Sequence, residues 1–330
     1  MKQVKKLAVL ATIALGAMSC SNNEVIESLN EQNEIRFSGI QMGNSIITKA
    51  NQILTGSETF GVYAYQTSPS ATPWFADQKL AKTGTAWGLP TKFYYPTGNF
   101  SMTFWAYGTD FAKNKPTSVS STGLVYTNYS INQTNAADHE AFVISKNAST
   151  VTQDNKASGV ALNFWHALSK IQFKAAKSDE PELTNVDVEI SSISINTNQT
   201  GSLTYTGDAS TWTQTGNNQD VAIYVTGGAL TTESASVTNE FYVIPLAGKA
   251  INTITVVASF YHKGTNVKIA NDATGTIEAT ADLFKINNKV TYNMTLAKNN
   301  LSGHTEITFA EPTIEDWKPV TGGNVFPTQP

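Results

Sequence analysis

Apolar residues occupy every second position over many short stretches of the chain, and polar or glycine-containing groups separate these stretches. Successive side chains of a β-strand point to opposite faces, so this alternation is typical of strands with one buried face. Turn residues recur about every ten residues, as they do in proteins built from short strands. We therefore predict strands at Ile35–Phe37, Phe60–Tyr65, Phe93–Tyr95, Met102–Tyr107, Val160–Phe164, Ile171–Phe173, Val186–Ile190, Ile193–Ile195, Phe241–Ile244, Ile254–Val257, Lys289–Tyr292 and Ile307–Phe309.

Helical periodicity is rare in the chain. Only Asp138–Phe142 and Ala279–Phe284 are predicted to form a turn or two of helix. Many short strands joined by polar turns predict an all-β chain built from β-sandwiches. The length favours two domains. The polar stretch Thr152–Gly159 marks the predicted boundary between an N-terminal sandwich at 34–156 and a C-terminal sandwich at 157–330.

The first residues follow another pattern, in which three lysines precede the apolar run Leu7–Met18. This run is too short to span a bilayer, so residues 1–19 are predicted to be a signal peptide. The residues before Cys20 resemble a bacterial lipobox, although Ala17 stands where leucine is preferred. We predict lipidation of Cys20 and a tether at 20–33. The alternative is cleavage near Ala17 by an ordinary signal peptidase, which would leave a free thiol.

The composition narrows the class of protein. Only 15% of residues are charged, the formal net charge is -4, and Arg36 is the sole arginine. Groove readout and phosphate binding depend heavily on arginine, so no nucleic-acid partner is expected. Cys20 is the only cysteine, so the fold contains no intrachain disulfide. These features are typical of a β-rich extracellular surface protein.

Catalytic and metal-binding patterns are weak. The histidines are widely spaced, at His139, His166, His262 and His304. Asp138–Glu140 is a poor chelate because adjacent strand residues point to opposite faces. The acidic stretch Asp179–Glu182 indicates a solvated turn rather than a pair of catalytic carboxylates. No nucleophile motif is present, so we predict no enzyme activity, no cofactor and no metal, and interpret His166 as a packed histidine.

Several aromatic residues support an alternative function. They are Trp74, Phe75, Trp87 and the segment Tyr94–Pro96. Aromatic faces stack on the apolar faces of sugars, so these residues are candidates for a glycan platform. Alternating aromatics in strands more often belong to the core. A surface glycan-binding lipoprotein therefore remains the second hypothesis.

A set of segments, weak one by one but ordered along nearly the whole chain after Cys20, resembles a known family. The segments are Glu34–Ser38, Phe60–Tyr65, Tyr94–Pro96, Phe104–Tyr107, Val160–Ile171, Phe241–Pro245, Asn288–Tyr292 and Ile314–Trp317. Their order and spacing resemble the fimbrillin family of Bacteroidetes lipoproteins, which includes the type V pilins. The resemblance implies two transthyretin-like β-sandwich domains in tandem. It also implies a structural and adhesive pilus subunit at the cell outer membrane, cell surface and fimbrium.

The resemblance further implies how such a subunit assembles. A trypsin-like protease removes the N-terminal strand of the lipoprotein precursor after a basic residue, and a neighbour's C-terminal strand fills the vacated groove. In this sequence Ile35 and Phe37 match the removable strand. Lys49 and Ala50 stand where the family has a cleavable arginine followed by alanine. The alternative is that Lys49 is a solvated loop lysine and the subunit stays uncut. The sole arginine, Arg36, lies inside the presumed strand.

Near the C-terminus, a closing strand is predicted to contain Ile307, Phe309, Ile314 and Trp317. The candidate donor strand follows it and contains Val320, Val325 and Phe326. Proline and glycine interrupt this tail at Pro319, Gly322, Gly323 and Pro327. Because proline cannot donate to a strand ladder, the tail is a mediocre donor. This favours a minor, tip or anchor subunit. The implied partners are other pilin subunits in a homo- or heteropolymer, the outer membrane through the lipid, and host or bacterial surface glycans or proteins.

Overall fold

The computed structural model describes residues 33–42, 57–108, 110–131, 142–145, 148–207, 209–238, 241–245, 251–269, 272–278, 283–298 and 307–316. Strands dominate these residues, with short 3₁₀ turns at Lys156–Ser158 and Pro181–Leu183. Within these ranges no helix has the length and apolarity needed to cross a membrane. The prediction of an all-β chain with two transthyretin-like β-sandwiches in tandem is confirmed.

The strands follow one another closely along the chain. Up to residue 166 they are β1 (Phe37–Met42), β2 (Thr59–Ser68), β3 (Thr72–Thr83), β4 (Ala86–Gly88), β5 (Ser101–Gly108), β6 (Ser118–Ser120), β7 (Gly123–Ser130), β8 (Val143–Ser145), β9 (Ser149–Thr152) and β10 (Val160–His166). After it they are β11 (Ser169–Lys177), β12 (Val186–Thr197), β13 (Thr200–Tyr205), β14 (Ser210–Gln214), β15 (Gln219–Ile223), β16 (Ala235–Ser236), β17 (Phe241–Val243), β18 (Ile251–His262), β19 (Ala273–Glu278), β20 (Asn288–Leu296), β21 (Thr308–Phe309) and β22 (Thr313–Asp316).

The first sandwich is a single sheet that closes on itself. Its strand order is β2-β3-β4-β1-β10-β8-β5-β9, and β2 also pairs with β5. The interior holds a buried aromatic cluster, in which Phe60 lies 4.6 Å from Phe164 between ring centroids. Strand β10 shows the alternation that builds this core, with Val160, Leu162 and Phe164 buried and the residues between them more exposed. Apolar alternation therefore sets which face of each strand turns inward.

The second sandwich contains two sheets. One has the order β16-β11-β20-β21, with β17 also on β11 and β22 also on β20, and the other has the order β15-β12-β18-β19. Strand β11 runs parallel to β20, pairing from Lys170 with Lys289 to Lys177 with Leu296. Strand β1 runs parallel to β10 in the first sandwich. Each sandwich thus pairs its first strand in parallel with a strand near the end of its own chain segment.

A fourth sheet joins the two sandwiches. Its order is β14-β13-β7-β6, and β13 pairs with β7 between Thr200–Tyr205 and Leu124–Ser130. Beneath this bridging sheet, Tyr126 and Phe142 from the first part of the chain belong to the same buried cluster as Trp212. The Trp212 indole N–H also donates to the Ala167 carbonyl, at 3.2 Å. Contacts of this kind tie the bridging sheet to both sandwiches.

Strand membership shows where the chain passes from one sandwich to the other. Strand β10 pairs with β1 and β8 of the first sheet, whereas β11 pairs with β20 of the second sandwich. Ala167 and Leu168 therefore connect the two sets of strands. The polar stretch Thr152–Gly159 contains the connection from β9 to β10. The two predicted helical segments lie mostly outside the described residues.

Candidate functional site

Strand β1 lies in the middle of the first sheet, and its position between β10 and β4 is called the β1 site below. Five residue pairs join β1 to β10 in parallel, from Phe37 with Val160 to Met42 with Phe164. On the other side, Phe37 pairs with Trp87 of β4. Without β1, the sheet would open between β10 and β4. The strand that closes the first sandwich is therefore the first of the described strands.

Backbone hydrogen bonds hold the start of β1 on both sides. The Ile35 N–H donates to the Phe93 carbonyl and the Tyr95 N–H donates to the Asn33 carbonyl, each at 2.8 Å. On the β10 side, the Val160 N–H donates to the Arg36 carbonyl at 2.7 Å. This main-chain recognition is independent of side-chain identity, so it suits any extended segment of the same direction.

Three apolar side chains of this segment enter the core. Ile35, Phe37 and Ile40 are 6%, 8% and 3% exposed, while Arg36 and Ser38 face the solvent. Burial of such side chains is worth roughly 1.5–3 kcal/mol each, so the three contribute roughly 5–9 kcal/mol before ordering costs. Side-chain burial and backbone hydrogen bonds together hold β1 in the first sheet.

A bulge separates the inward-facing residues of β1. Phe37 pairs with Val160, but the next pair is Gly39 with Ala161, so Ser38 is an extra residue. Bulges of this kind insert one residue without a partner and restore the register beyond it. The extra residue places Ile40, rather than residue 39, on the inner face. The side-chain spacing at the β1 site is therefore two residues and then three.

The ion pairs near β1 contribute little stability, because the two cations are largely exposed. Glu34 lies 3.3 Å from the Lys92 ammonium and 3.6 Å from the Arg36 guanidinium. The Lys92 and Arg36 side chains are 64% and 61% exposed, and pairs of this type are typically worth about 0.2–1 kcal/mol. These ion pairs orient the start of the strand without determining its stability.

The candidate glycan-binding aromatics separate into two groups. Trp74 and Tyr94 are 38% and 39% exposed, and the Trp74 indole N–H donates to the Tyr94 carbonyl at 2.9 Å. The others pack inward: Phe75 against Phe93, Trp87 against Phe60 and Tyr95 against Phe100. Only Trp74 and Tyr94 of the predicted platform thus present an aromatic surface. Both lie beside the start of β1, because Tyr94 bridges to Glu34.

A family model described as fimbrillin-like matches residues 48–317, which is most of the chain. The chain belongs to the fimbrillin-like family. A solved fimbrial protein from Bacteroides vulgatus is similar in fold, with a TM-score of 0.62, 17% identity and coverage of 87% of this chain and 100% of that one. A protein assigned to cell adhesion from Bacteroides ovatus has a TM-score of 0.56, 14% identity and coverage of 87% and 98%. No curated protein sequence matches at a significant level.

The structure of this fimbrillin-like chain locates part of the predicted site. Ile35 and Phe37 lie at the β1 site, as expected of a strand that enters a core. At the other end, Ile307 is buried and Ile314 of β22 is half exposed. Several predicted site residues lie outside the described residues, namely Cys20, Lys49, Ala50, Trp317, Val320, Val325 and Phe326.

The residues considered as catalytic or metal-binding candidates are buried in the core or hydrogen-bonded to neighbouring groups. His166 is buried, and this burial, followed by the charge of Lys170, lowers its pKa to about 3. Glu180 accepts hydrogen bonds from Ser178 and from the Lys298 backbone N–H. Among the described residues, no group of three or more His, Cys, Asp and Glu is arranged to hold a metal. The Asp138–Glu140 triplet lies outside them.

Sequence reasoning missed two residues of the β1 site, Ile40 and Gly159. Ile40 was missed because the bulge at Ser38 interrupts the alternation that predicts strands. Gly159 has a φ of +72°, and a Cβ there would lie 3.0 Å from the Arg36 carbonyl oxygen. The adjacent pair Ser38-Gly39 could have indicated the bulge, because it interrupts the alternation of apolar residues and is followed by the apolar Ile40.

Proposed function

We propose that this fimbrillin-like chain is a structural and adhesive subunit of a surface fimbria, exported as a lipoprotein and joined to its neighbours by strand exchange. The observation that carries the proposal is the position of β1. It is the first strand that the structure describes and it completes a closed sheet, yet it is joined to the next strand through segment 43–56, which contains Lys49 and Ala50. Cleavage in that segment would leave β1 held by noncovalent contacts alone.

Loss of β1 would create an acceptor groove. The edge of β10 from Val160 to Phe164 would lose its ladder partner, and the positions of Ile35, Phe37 and Ile40 would be empty. An exposed strand edge beside apolar pockets is the usual site for addition of a strand from another chain. A donor that fills the same pockets would recover most of the roughly 5–9 kcal/mol of gross burial.

Strand exchange also accounts for the order of the N-terminal segments. Cys20 and β1 both precede Lys49, so a single cut after Lys49 would separate the lipid and the removable strand from the rest of the subunit. Cleavage after Arg36 would fall just before β1 and leave Phe37 and Ile40 in place. We therefore propose Lys49 as the processing site, lipidated Cys20 as the delivery anchor, and the outer membrane as the site of delivery.

The domain division belongs to the same proposal. We propose an acceptor domain from residue 34 to His166 and a second domain from Ser169 onward, with the bridging sheet between them. In the second domain the first strand, β11, pairs in parallel with β20 and is joined covalently to the chain at both of its ends. Of the described strands that pair in parallel, β1 is the one that a single cut in segment 43–56 would release. Proline and glycine residues interrupt the C-terminal segment of the chain, which favours a minor, tip or anchor position for this subunit.

The decisive experiment follows the fate of β1 after cleavage. The purified chain is cut with a lysine-specific protease, and a labelled peptide of residues 33–42 is added in excess. Slow replacement of the N-terminal fragment by the peptide, read by fluorescence anisotropy and mass spectrometry, is expected. Lys49→Ala is the matched control, and it should remain uncut there and take up no peptide. A cut chain that retains its fragment and takes up no peptide would contradict strand exchange.

A second candidate function is glycan binding, favoured by one observation. Trp74 and Tyr94 are exposed side by side, with the indole held by its hydrogen bond to the Tyr94 carbonyl. An orientated aromatic face is suited to stacking on a sugar ring. We propose that this surface contributes adhesion to host or bacterial glycans, and a glycan array with the Trp74→Ala variant as control tests it.

A further inference from the structure

We propose that the surface around Trp74 and Tyr94 binds a sugar that carries a carboxylate, and that residues next to β1 supply part of this site. The inference deepens the glycan-binding function proposed above and rests on it. The site contains Trp74, Lys92 and Tyr94, together with Glu34 and Arg36 from the segment that leads into β1. These five residues are called the acid-sugar site below.

Glu34 and Tyr94 lie directly opposite each other on two antiparallel segments. The residues before and after them exchange two backbone hydrogen bonds, each of 2.8 Å. Glu34 and Tyr94 therefore form a non-hydrogen-bonded pair, the arrangement that brings opposed side chains closest together. Their neighbours Ile35 and Phe93 pack into the core of the first sandwich. Because side chains alternate between the two faces, Glu34 and Tyr94 share the outer face.

The aromatic part of the acid-sugar site is held from the core side. Phe75 and Phe93 pack against each other there, with ring centroids 4.6 Å apart. Trp74 and Tyr94 are their neighbours in sequence and face the solvent. The Trp74 indole N–H donates to the Tyr94 carbonyl at 2.9 Å, which fixes the position of the indole. The aromatic surface is therefore positioned before any sugar binds.

Two cations lie on the same outer face. Arg36 follows Glu34 by two residues and Lys92 precedes Tyr94 by two, so alternation places all four side chains together. Their contacts agree with this placement, because the Lys92 Nζ lies 3.3 Å and the Arg36 Nη2 lies 3.6 Å from the same Glu34 oxygen, Oε2. Both cations are largely exposed. With two cations beside one carboxylate, one positive charge is not compensated within this group.

This local charge favours an acidic ligand. The whole chain carries a formal net charge of -4, and Arg36 is its sole arginine. A guanidinium and an ammonium each carry several N–H donors, so Arg36 and Lys92 can each bind a second carboxylate beside Glu34. The planar guanidinium matches a carboxylate with two parallel hydrogen bonds. A sugar ring stacked on Trp74 and Tyr94 would direct its acid group towards these cations.

The acid-sugar site is shared between the two sides of the processing site. Glu34 and Arg36 precede Lys49, whereas Lys92 and the two aromatic residues follow it. Under the proposed strand exchange, release of β1 would remove Glu34 and Arg36 from the subunit. The site is therefore complete only while the subunit keeps its own N-terminal strand.

Matched pairs of immobilised sugars test the inference on the uncut full chain. One pair is lactose and sialyllactose, and the other is cellobiose and its uronic acid form, so each pair compares a neutral with a carboxylated probe. Lactose with a sulfate ester is a further probe. Arg36→Gln and Lys92→Gln each remove one cation of the site. Lys79→Gln is the control, since it removes an exposed lysine from β3, the strand that carries Trp74.

We expect the native chain to bind a carboxylated probe at least about tenfold more tightly than its neutral partner, as a charge-assisted hydrogen bond would provide. Arg36→Gln and Lys92→Gln should each remove most of this preference, and Lys79→Gln should keep it. Biolayer interferometry measures the dissociation constants.

Each contrary outcome overturns a different statement. Equal binding of neutral and carboxylated probes would overturn the inference and leave glycan binding intact. An equal gain from the sulfate ester would overturn the choice of a carboxylate. An unchanged preference in Arg36→Gln would overturn the contribution of the segment next to β1. Failure of the native chain to bind any sugar would instead overturn the proposed glycan-binding function.

Discussion

Phe37 of β1 and Phe104 of β5 pack edge to face across the interior of the first sandwich, with an interplanar angle of 84° and ring centroids 6.5 Å apart. The two strands are not hydrogen-bonded neighbours, so this contact links β1 to the opposite side of the closed sheet. Edge-to-face pairs contribute about 0.5–1.5 kcal/mol beyond their burial. Through this contact Phe37 anchors β1 to the far side of the core.

Truncation of Phe37 should therefore weaken the hold on β1. We expect Phe37→Ala to lower the free energy of unfolding by about 3–5 kcal/mol, the usual cost of removing a buried phenylalanine. Arg36→Ala is the control on the same strand, and an exposed side chain of this kind should change the value by about 0.5 kcal/mol or less. Urea unfolding followed by tryptophan fluorescence measures both. Equal effects of the two substitutions would show that Phe37 is not a core residue.

Gly159 should be intolerant of any side chain. Gly159→Ala would hold an alanine at a φ of +72° and a ψ of 174°, at a cost of about 1–3 kcal/mol, and would crowd the Arg36 carbonyl oxygen as well. Gly98→Ala is a matched control, since Gly98 has a φ of +79° but open space around it. We expect the larger loss in urea midpoint, and faster peptide uptake after cleavage, for Gly159→Ala. Equal losses of urea midpoint for the two variants would show that backbone strain alone explains the effect and that contact with the Arg36 carbonyl oxygen adds nothing.

The success of the sequence predictions depended on regular alternation. Strands β2 and β5 contain the predicted segments Phe60–Tyr65 and Met102–Tyr107. Their residues in the core of the first sandwich recur at every second position: Phe60, Val62 and Ala64 in β2, and Met102, Phe104 and Ala106 in β5. Strand β12 was predicted as two strands because alternation breaks near Ser191. The structure has one strand there, with an irregularity in its pairing to β18 between Ile190 and Ser192.

Pairing between distant strands was beyond the reach of sequence reasoning. Strands β7 and β13 form the bridging sheet, yet their outward residues are polar and their inward residues too few to produce a strong pattern. The partner of β1 is β10, more than 100 residues away, and nothing local encodes this choice. Residue type could identify Ile35 and Phe37 as strand residues. Only the folded sheet shows that they complete it.

The burial of His166 predicts loss of stability in mild acid. Its pKa is about 3 in the folded chain, lowered by burial and then by Lys170, against about 6.5 in an unfolded chain. Between these values the unfolded state binds a proton that the folded state does not, so the free energy of unfolding falls as the pH falls below about 6.5. From about pH 7.5 to about pH 5 the expected loss is about 2 kcal/mol.

The measurement is urea unfolding across that pH range for the native chain and for His166→Gln. Glutamine does not titrate, so the variant should show a flatter dependence of the free energy of unfolding on pH, whatever its stability at neutral pH. Comparing slopes removes any constant cost of the substitution. Parallel curves for the two proteins would show that His166 is not the group responsible.

Trp74 and Trp87 should respond in opposite ways to truncation, which separates adhesion from folding. Trp74 is exposed and makes its side-chain hydrogen bond to the Tyr94 carbonyl, whereas Trp87 packs on Phe60 with ring centroids 5.5 Å apart. If the exposed pair binds glycans, Trp74→Ala should reduce binding at least about tenfold with little change in stability. Trp87→Ala should lower the free energy of unfolding by about 1–3 kcal/mol and leave glycan binding intact. Absence of binding by the native chain on a glycan array would contradict the glycan-binding function. Equal binding by the native chain and Trp74→Ala would show that the exposed pair is not the binding surface.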